Sequence, residues 1–219
     1  MAEEQRSLRV AIPIFDHLTA LDAVGPYEVL NAVPGVSVVF VSDKPGLILA
    51  GEAQQSHLGL RATASYKDVP HPDVIVVPGG PPTKIPLHHK PLLDWIRKAH
   101  ETTLFTTSVC TGALILGSAG LLTGLECTTH WSSYKKLEEF GAKASAKRYI
   151  QQGKIITAAG VSSGIDMALY LAALLKDKVI AEGVQLLVEY DPQPPFDSGS
   201  LAKASPEVLA LPFIRPLLD

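Results

Sequence analysis

Thr106-Thr-Ser-Val-Cys110-Thr-Gly-Ala-Leu-Ile-Leu116 passes from a β-branched run into a helix-forming run, with a cysteine at the junction. The spacing Ser108-x-Cys110-x-Gly112 puts small residues two before and two after that cysteine, as a sharp strand-to-helix elbow requires. Working outward, Thr103 to Ser108 reads as a strand and Thr111 to Leu122 as a helix. Upstream, Arg9-Val-Ala-Ile-Pro-Ile-Phe15 reads as a buried first strand. Leu21 to Asn31 has helical spacing at Leu21, Val24, Tyr27 and Leu30, with Gly25-Pro26 breaking into it. Val36 to Val41 and Asp73-Val-Ile-Val-Val-Pro-Gly-Gly80 read as central strands covered on both faces, followed by a helix over Pro91 to His100. Downstream, Tyr149-Ile150 and Lys154 to Ala158 are short strands joined by a turn at Gln152-Gly153, and Ile165 to Lys176 and Val179 to Tyr190 are helices.

Strands alternating with helices predict a three-layer α/β sandwich with a mostly parallel central sheet, flavodoxin-like. With 219 residues and no internal repeat or linker, residues 1–219 read as a single domain. Asp191-Pro-Gln-Pro-Pro-Phe-Asp-Ser-Gly-Ser200 cannot continue a helix, because its prolines lack the backbone donor; an extended surface segment and a short tail are expected after about residue 190.

Hydrophobic residues at 47% and charged residues at 19% suit a buried core and exclude disorder. The net charge of −3, with no basic cluster longer than Lys135-Lys136, argues against nucleic acid as a partner. The apolar run Ala168 to Leu175 is far short of the ~20 residues that cross a bilayer, so no membrane span is expected. The polar, acidic start Met1 to Ser7 lacks the basic and apolar segments of a secretory signal. Cys110 and Cys127 form no metal-ligand pair and are too few for a disulfide scaffold, which fits a reducing, cytoplasmic setting.

At the elbow, backbone N–H groups and the positive end of the following helix are expected to lower the Cys110 pKa and make it a nucleophile. Without the small flanking residues, a buried packing thiol would be the ordinary explanation, and that reading is kept for Cys127 in Gly124-Leu-Glu-Cys-Thr-Thr129. Asp22 near a helix start reads, by position alone, as a cap or dipole partner; Asp16 after Phe15 reads as a solvated turn residue. Pro78-Gly79-Gly80-Pro81 is a turn whose glycines permit close backbone approach. His88-His89 reads as a loop, and His17, His57, His71 and His100 carry no signal. With no G-x-G-x-x-G, Walker loop or H-E-x-x-H, neither a cofactor nor a metal is implied.

Ser108 to Leu122, followed by Thr128-Thr-His-Trp131, resembles the ThiJ/PfpI family of the class I glutamine amidotransferase-like superfamily. Leu21-Asp-Ala-Val-Gly-Pro-Tyr-Glu-Val-Leu30, Gly160-Val-Ser-Ser-Gly-Ile-Asp166 and Leu187 to Ser200 resemble its isonitrile hydratase branch, over about residues 8 to 200. By that resemblance Cys110 corresponds to the nucleophile, Asp22 to the essential carboxylate and Thr111 to the neighbouring hydroxyl. The resemblance also implies that the backbone N–H groups at Gly79 and Gly80 and around Cys110 form a small anion-binding pocket, with Val161 in the pocket wall. His130 is assigned packing or hydrogen bonding rather than a Cys/His dyad.

The implied reaction is hydration of a small-molecule isonitrile to an N-substituted formamide through a cysteine thioimidate, with Asp22 as the acid and its pKa raised by burial. Thr111 would hydrogen-bond the thiolate or the intermediate. The resemblance also implies a homodimer paired along the first helix, where Gly25 and Pro26 leave little bulk and Tyr27 offers an aromatic anchor. Other readings are a ligand-binding or cysteine redox-sensing module, or a glyoxalase or deglycase-type enzyme, whose branches carry glutamate at the position of Asp22. About 20 residues follow Ser200, too few for a helix-turn-helix domain.

Overall fold

The computed structural model describes residues 7–51, 58–82 and 84–218. His57 and all but Ser7 of the N-terminal stretch lie outside them.

The chain order is β1 (Leu8–Pro13), α1 (Ala20–Asn31), β2 (Val36–Ser42), β3 (Gly46–Leu49), β4 (Gly59–Ala62), β5 (Ala64–Ser65), β6 (Val74–Val77), α2 (Lys90–Thr102), β7 (Phe105–Val109) and α3 (Gly112–Ser118). There follow β8 (Glu126–Cys127), α4 (Tyr134–Glu139), β9 (Lys143–Ala144), β10 (Tyr149–Gln152), β11 (Ile155–Ala158), α5 (Ser163–Leu175), α6 (Lys178–Leu187) and α7 (Pro206–Leu209). A seven-stranded sheet has the order β10-β11-β7-β6-β1-β2-β5, and only its edge pair β10/β11 is antiparallel. The short pairs β3/β4 and β8/β9 stand apart from it.

Strand alternation divides the core in two. Val10, Ile12 and Ile14, with Val74 and Val76, pack beneath Val29 and Leu30 of α1 and Met167 and Leu171 of α5. Ala11, Ile75 and Val77 point to the other face, against Leu92 and Ile96 of α2 and Leu114 and Leu116 of α3. Because helices cover both faces, β6 is buried at every position, which explains its unbroken apolar run. The result is a three-layer, flavodoxin-like α/β fold.

Two elements differ from the sequence reading. Gly25-Pro26 does not break the first helix: α1 is continuous with Pro26 inside it. A Cβ at Gly25 would lie 3.1 Å from Ile165 Cγ1, and a Cβ at Gly164 would lie 3.3 Å from Pro26 Cγ, so this dipeptide is where α1 and α5 approach closely. That packing offsets the hydrogen bond lost at proline. The small bulk that suggested a partner subunit therefore serves the chain itself, and Tyr27 stacks on Phe40 at 5.1 Å. The elbow helix is also shorter than Thr111 to Leu122; it ends at Ser118, ahead of Gly120 at φ +81°.

Candidate active site

Register places the site. Val77 pairs with Ser108, and Val109 with Ala158, so the carboxyl ends of β6, β7 and β11 lie side by side. The connections leaving them are Pro78–Gly80, Cys110–Thr111 and Ala159–Val161. β1 adds Asp22 through α1. β1 has neighbours on both sides, β2 following it through α1 and β6 on the other edge, which makes this a crevice where strand order reverses.

Cys110 turns the corner at φ +57°, a left-handed conformation costing roughly 1–3 kcal/mol for a residue with a side chain. Its neighbours hold it there. The Cys110 N–H donates to Ala158 and Ala159 carbonyls at 3.2 and 2.8 Å, and its carbonyl accepts the Thr129 hydroxyl at 2.9 Å. Thr129 belongs to the Thr-Thr-His-Trp motif, which supplies a brace for the elbow as well as His130. Gly112 must be glycine, because a Cβ there would lie 2.1 Å from the Val77 carbonyl oxygen.

Asp22 is fully buried; Oδ2 accepts the Gly79 N–H at 3.0 Å, and Oδ1 has no well-aligned partner among the described residues. The Cys110 thiol lies within reach of the carboxyl. Burial raises the Asp22 pKa to about 7, against the lowering effect of the Gly79 and Cys110 hydrogen bonds. Burial also raises the Cys110 pKa strongly, with the Asp22 charge adding to it, while the Thr111 and Val161 N–H groups pull it down. Burial thus works against the low thiol pKa expected at the elbow. α3 has only seven residues, Cys110 is 4% exposed, and desolvation beside a carboxylate outweighs two backbone donors.

The N–H groups expected to bind an anion are divided differently from the sequence reading. Gly79 donates to Asp22, and Gly80 donates to Thr111 Oγ1 at 2.8 Å. Thr111 Oγ1 donates back to the Gly80 carbonyl at 2.6 Å. The Thr111 hydroxyl therefore ties the two loops together, and its backbone N–H, with that of Val161, faces the sulfur. A Cβ at Gly79 would sit 2.5 Å from Thr111 N, and this loop packing is what its glycine permits.

A model of the DJ-1/PfpI family matches residues 8–174. This chain belongs to that family. It is similar to the isonitrile hydratase of Pseudomonas putida, 40% identical over 194 residues that span 89% of this chain and 83% of that protein. A ThiJ/PfpI family protein from Pseudomonas syringae has a crystal structure matching at TM-score 0.87 and 30% identity, over 97% of this chain and 85% of that one. The HTH-type transcriptional regulator CdhR of Pseudomonas aeruginosa is 32% identical over 104 residues, 47% of this chain and 29% of the regulator.

In this DJ-1/PfpI protein a cavity of about 570 Å³ lies over the connection after β11, lined among others by Leu21, His130, Trp131, Tyr134, Val161 and Ser163; Cys110, Asp22, Thr111, Gly79 and Gly80 are not part of its lining. Its wall includes Val161, whose N–H faces the sulfur, and Leu21, next to Asp22. His130 lines it too, but its Nδ1 pairs with the Ser132 hydroxyl at 2.7 Å, and no hydrogen bond joins it to Cys110 among the described residues. Burial lowers its pKa. Asp16 is exposed and accepts the Leu49 N–H at 3.1 Å. Cys127 is buried in the core beside Thr157, with its pKa pushed up to about 11 by burial. Gly199 to Ala202 of the Pro-rich segment and tail also line the cavity, a role with no signal in the sequence. No group of metal-ligating side chains occurs among the described residues, and no described helix is long and apolar enough to cross a membrane.

Proposed function

We propose that this protein hydrates an isonitrile, R–N≡C, to the formamide R–NH–CHO, as a hydro-lyase with Cys110 as nucleophile and Asp22 as proton carrier. The observation that carries this reading is the buried Cys110–Asp22 pair, on a chain 40% identical to an isonitrile hydratase.

The chemistry follows from the pair. Its first ionisation leaves one proton for two groups, and in the tautomer S⁻/COOH the nucleophile and the acid coexist. Cys110 Sγ bonds to the terminal carbon, and the electron pair left on that carbon takes the proton from Asp22, giving the thioimidate S–CH=N–R. Asp22, now a carboxylate, accepts a proton from water as the water oxygen bonds to the same carbon, and passes it to nitrogen. Breaking the C–S bond releases the formamide, and the remaining hydroxyl proton returns to the Cys110–Asp22 pair. One water is added in sum. The Thr111 and Val161 N–H groups stabilise the sulfur whenever it carries charge.

A cytoplasmic setting is part of the proposal, supported by two unpaired thiols. A homodimer along the outer face of α1, where Leu21 is 42% exposed, is part of the proposal. Burial of Cys110, which is 4% exposed, weighs against a redox-sensing thiol, which must be accessible. The direct experiment mixes the protein with an aromatic isonitrile and follows formamide. Formation that vanishes in Cys110→Ala and persists in Cys127→Ala supports the covalent route. A folded Cys110→Ala protein that still turns over overturns it.

A further inference from the structure

Four residues of the C-terminal segment, Gly199-Ser-Leu-Ala202, line the same cavity as Val161 and Trp131. They sit in a turn with its own closure. The Ser200 carbonyl accepts the Lys203 and Ala204 N–H groups, each at 3.0 Å, and Lys203 Nζ pairs with Asp197 at 2.5 Å. This turn places Leu201 at the cavity rim, lining it while remaining 39% exposed like the segment around it.

The cavity is far larger than the reacting N≡C group needs. A void of about 150 Å³ holds one benzene ring, and pockets of about 300–1,000 Å³ hold drug-sized ligands. Leu21, Val161 and Leu201 provide apolar surface, and Trp131 and Tyr134 provide rings. Ser163 Oγ, buried and without a partner among the described residues, adds a polar group to the same lining.

We propose that this cavity binds the N-substituent of the substrate, that it selects large, mainly apolar groups of two or more rings, and that Leu201 is a specificity-determining residue. The proposal rests on the isonitrile reading for the reacting end of that substrate. Substituents that fill the cavity bury more apolar surface and orient the terminal carbon toward the sulfur beside Val161.

The test compares kcat/KM for 2-naphthyl isonitrile and methyl isonitrile in the full chain and in Leu201→Ala and Leu201→Trp. The naphthyl-to-methyl ratio should exceed about tenfold in the parent and fall by about tenfold in Leu201→Ala, from lost contact, and in Leu201→Trp, from lost room. Binding of N-(2-naphthyl)formamide, measured by calorimetry, reads the wall independently of chemistry and should weaken in parallel. A ratio and an affinity unchanged in both folded variants overturn the specificity role. Leu201-dependent formamide binding without turnover of any isonitrile upholds the wall and overturns the hydratase reading instead.

Discussion

The Asp22 carboxyl and the Cys110 thiol, far apart in the chain, are both buried and lie within reach of one another, and each makes it harder for the other to carry charge. One anion is favourable there and two are not. The pair titrates as a unit, and its first ionisation belongs to it rather than to either residue.

If the reactive species is the monoanion, kcat/KM should rise with pH through a midpoint near 7, where the Asp22 carboxyl titrates. Asp22→Asn should remove that rise and lower turnover by about 10²–10⁴-fold. Asp16→Asn, on an exposed loop, should change neither. A pH–rate profile of Asp22→Asn that overlays the parent would refute the proton-carrier role.

Alkylation separates the two thiols by the same logic. If the S⁻/COOH form of the pair is the reactive one, iodoacetamide should label Cys110 with a rate that climbs through pH 7 despite the raised pKa of the thiol itself, while Cys127, whose thiol ionises at about 11 and has no such partner, should respond only at much higher pH. Mass spectrometry of the two cysteine peptides over pH 5–10 reads both. Parallel profiles would remove the coupling to Asp22.

Raising the pKa of a buried acid carries a cost in stability. Between 3.8 and about 7 the unfolded chain has released the Asp22 proton while the folded protein retains it, so stability is full below the lower value and falls until the upper one is passed. The loss amounts to about 4 kcal/mol at most. Asp22→Asn, which retains an acceptor for the Gly79 N–H, should therefore be more stable than the parent at pH 7 and nearly equal to it at pH 4. Urea unfolding at the two pH values measures this. A variant that is less stable at pH 7 would contradict it.

Glycine to alanine should have opposite signs at two helical positions. At Gly112 the new Cβ meets the Val77 carbonyl oxygen at 2.1 Å, which should cost about 3 kcal/mol or more and displace the elbow. At Gly183, exposed in α6 with nothing within 4 Å of a Cβ, it should stabilise by about 1 kcal/mol. Thermal melts of both variants provide the comparison.

Light scattering at micromolar concentration should give the mass of a dimer, twice 23.4 kDa. Glu28→Arg, an exposed charge reversal on α1, should weaken association if that face is the interface. A fully active monomer would exclude a role for pairing.

How far the sequence reaches is set by the range of the interactions involved. Strand and helix order was legible because apolar periodicity is local: the continuous run at Val74 to Val77 announces a strand buried on both sides, and small residues around Cys110 announce a sharp junction. Asp22 and Val161 were singled out only through the resemblance of their motifs to a family, since by position alone Asp22 reads as a helix cap. What those groups do to each other was not legible. Register between β6, β7 and β11 brings Gly79, Thr111 and Val161 to one end of the sheet, and only that arrangement decides which N–H faces sulfur and which is taken by Asp22. The Thr111 hydroxyl was read as a partner for the thiolate, yet a loop 31 residues away claims it. Gly25-Pro26 read as a helix break, because propensity is local and the α5 surface that accommodates it is not. The thiol pKa turned on desolvation, which depends on everything packed around Cys110 rather than on its neighbours in the chain. Sequence alone thus determined the fold class and singled out the candidate side chains; the tertiary structure decided how deeply Cys110 and Asp22 are buried, which hydrogen bonds their loops make and that Leu201 lines the neighbouring cavity, because burial and cavity shape are sums over residues distant in sequence.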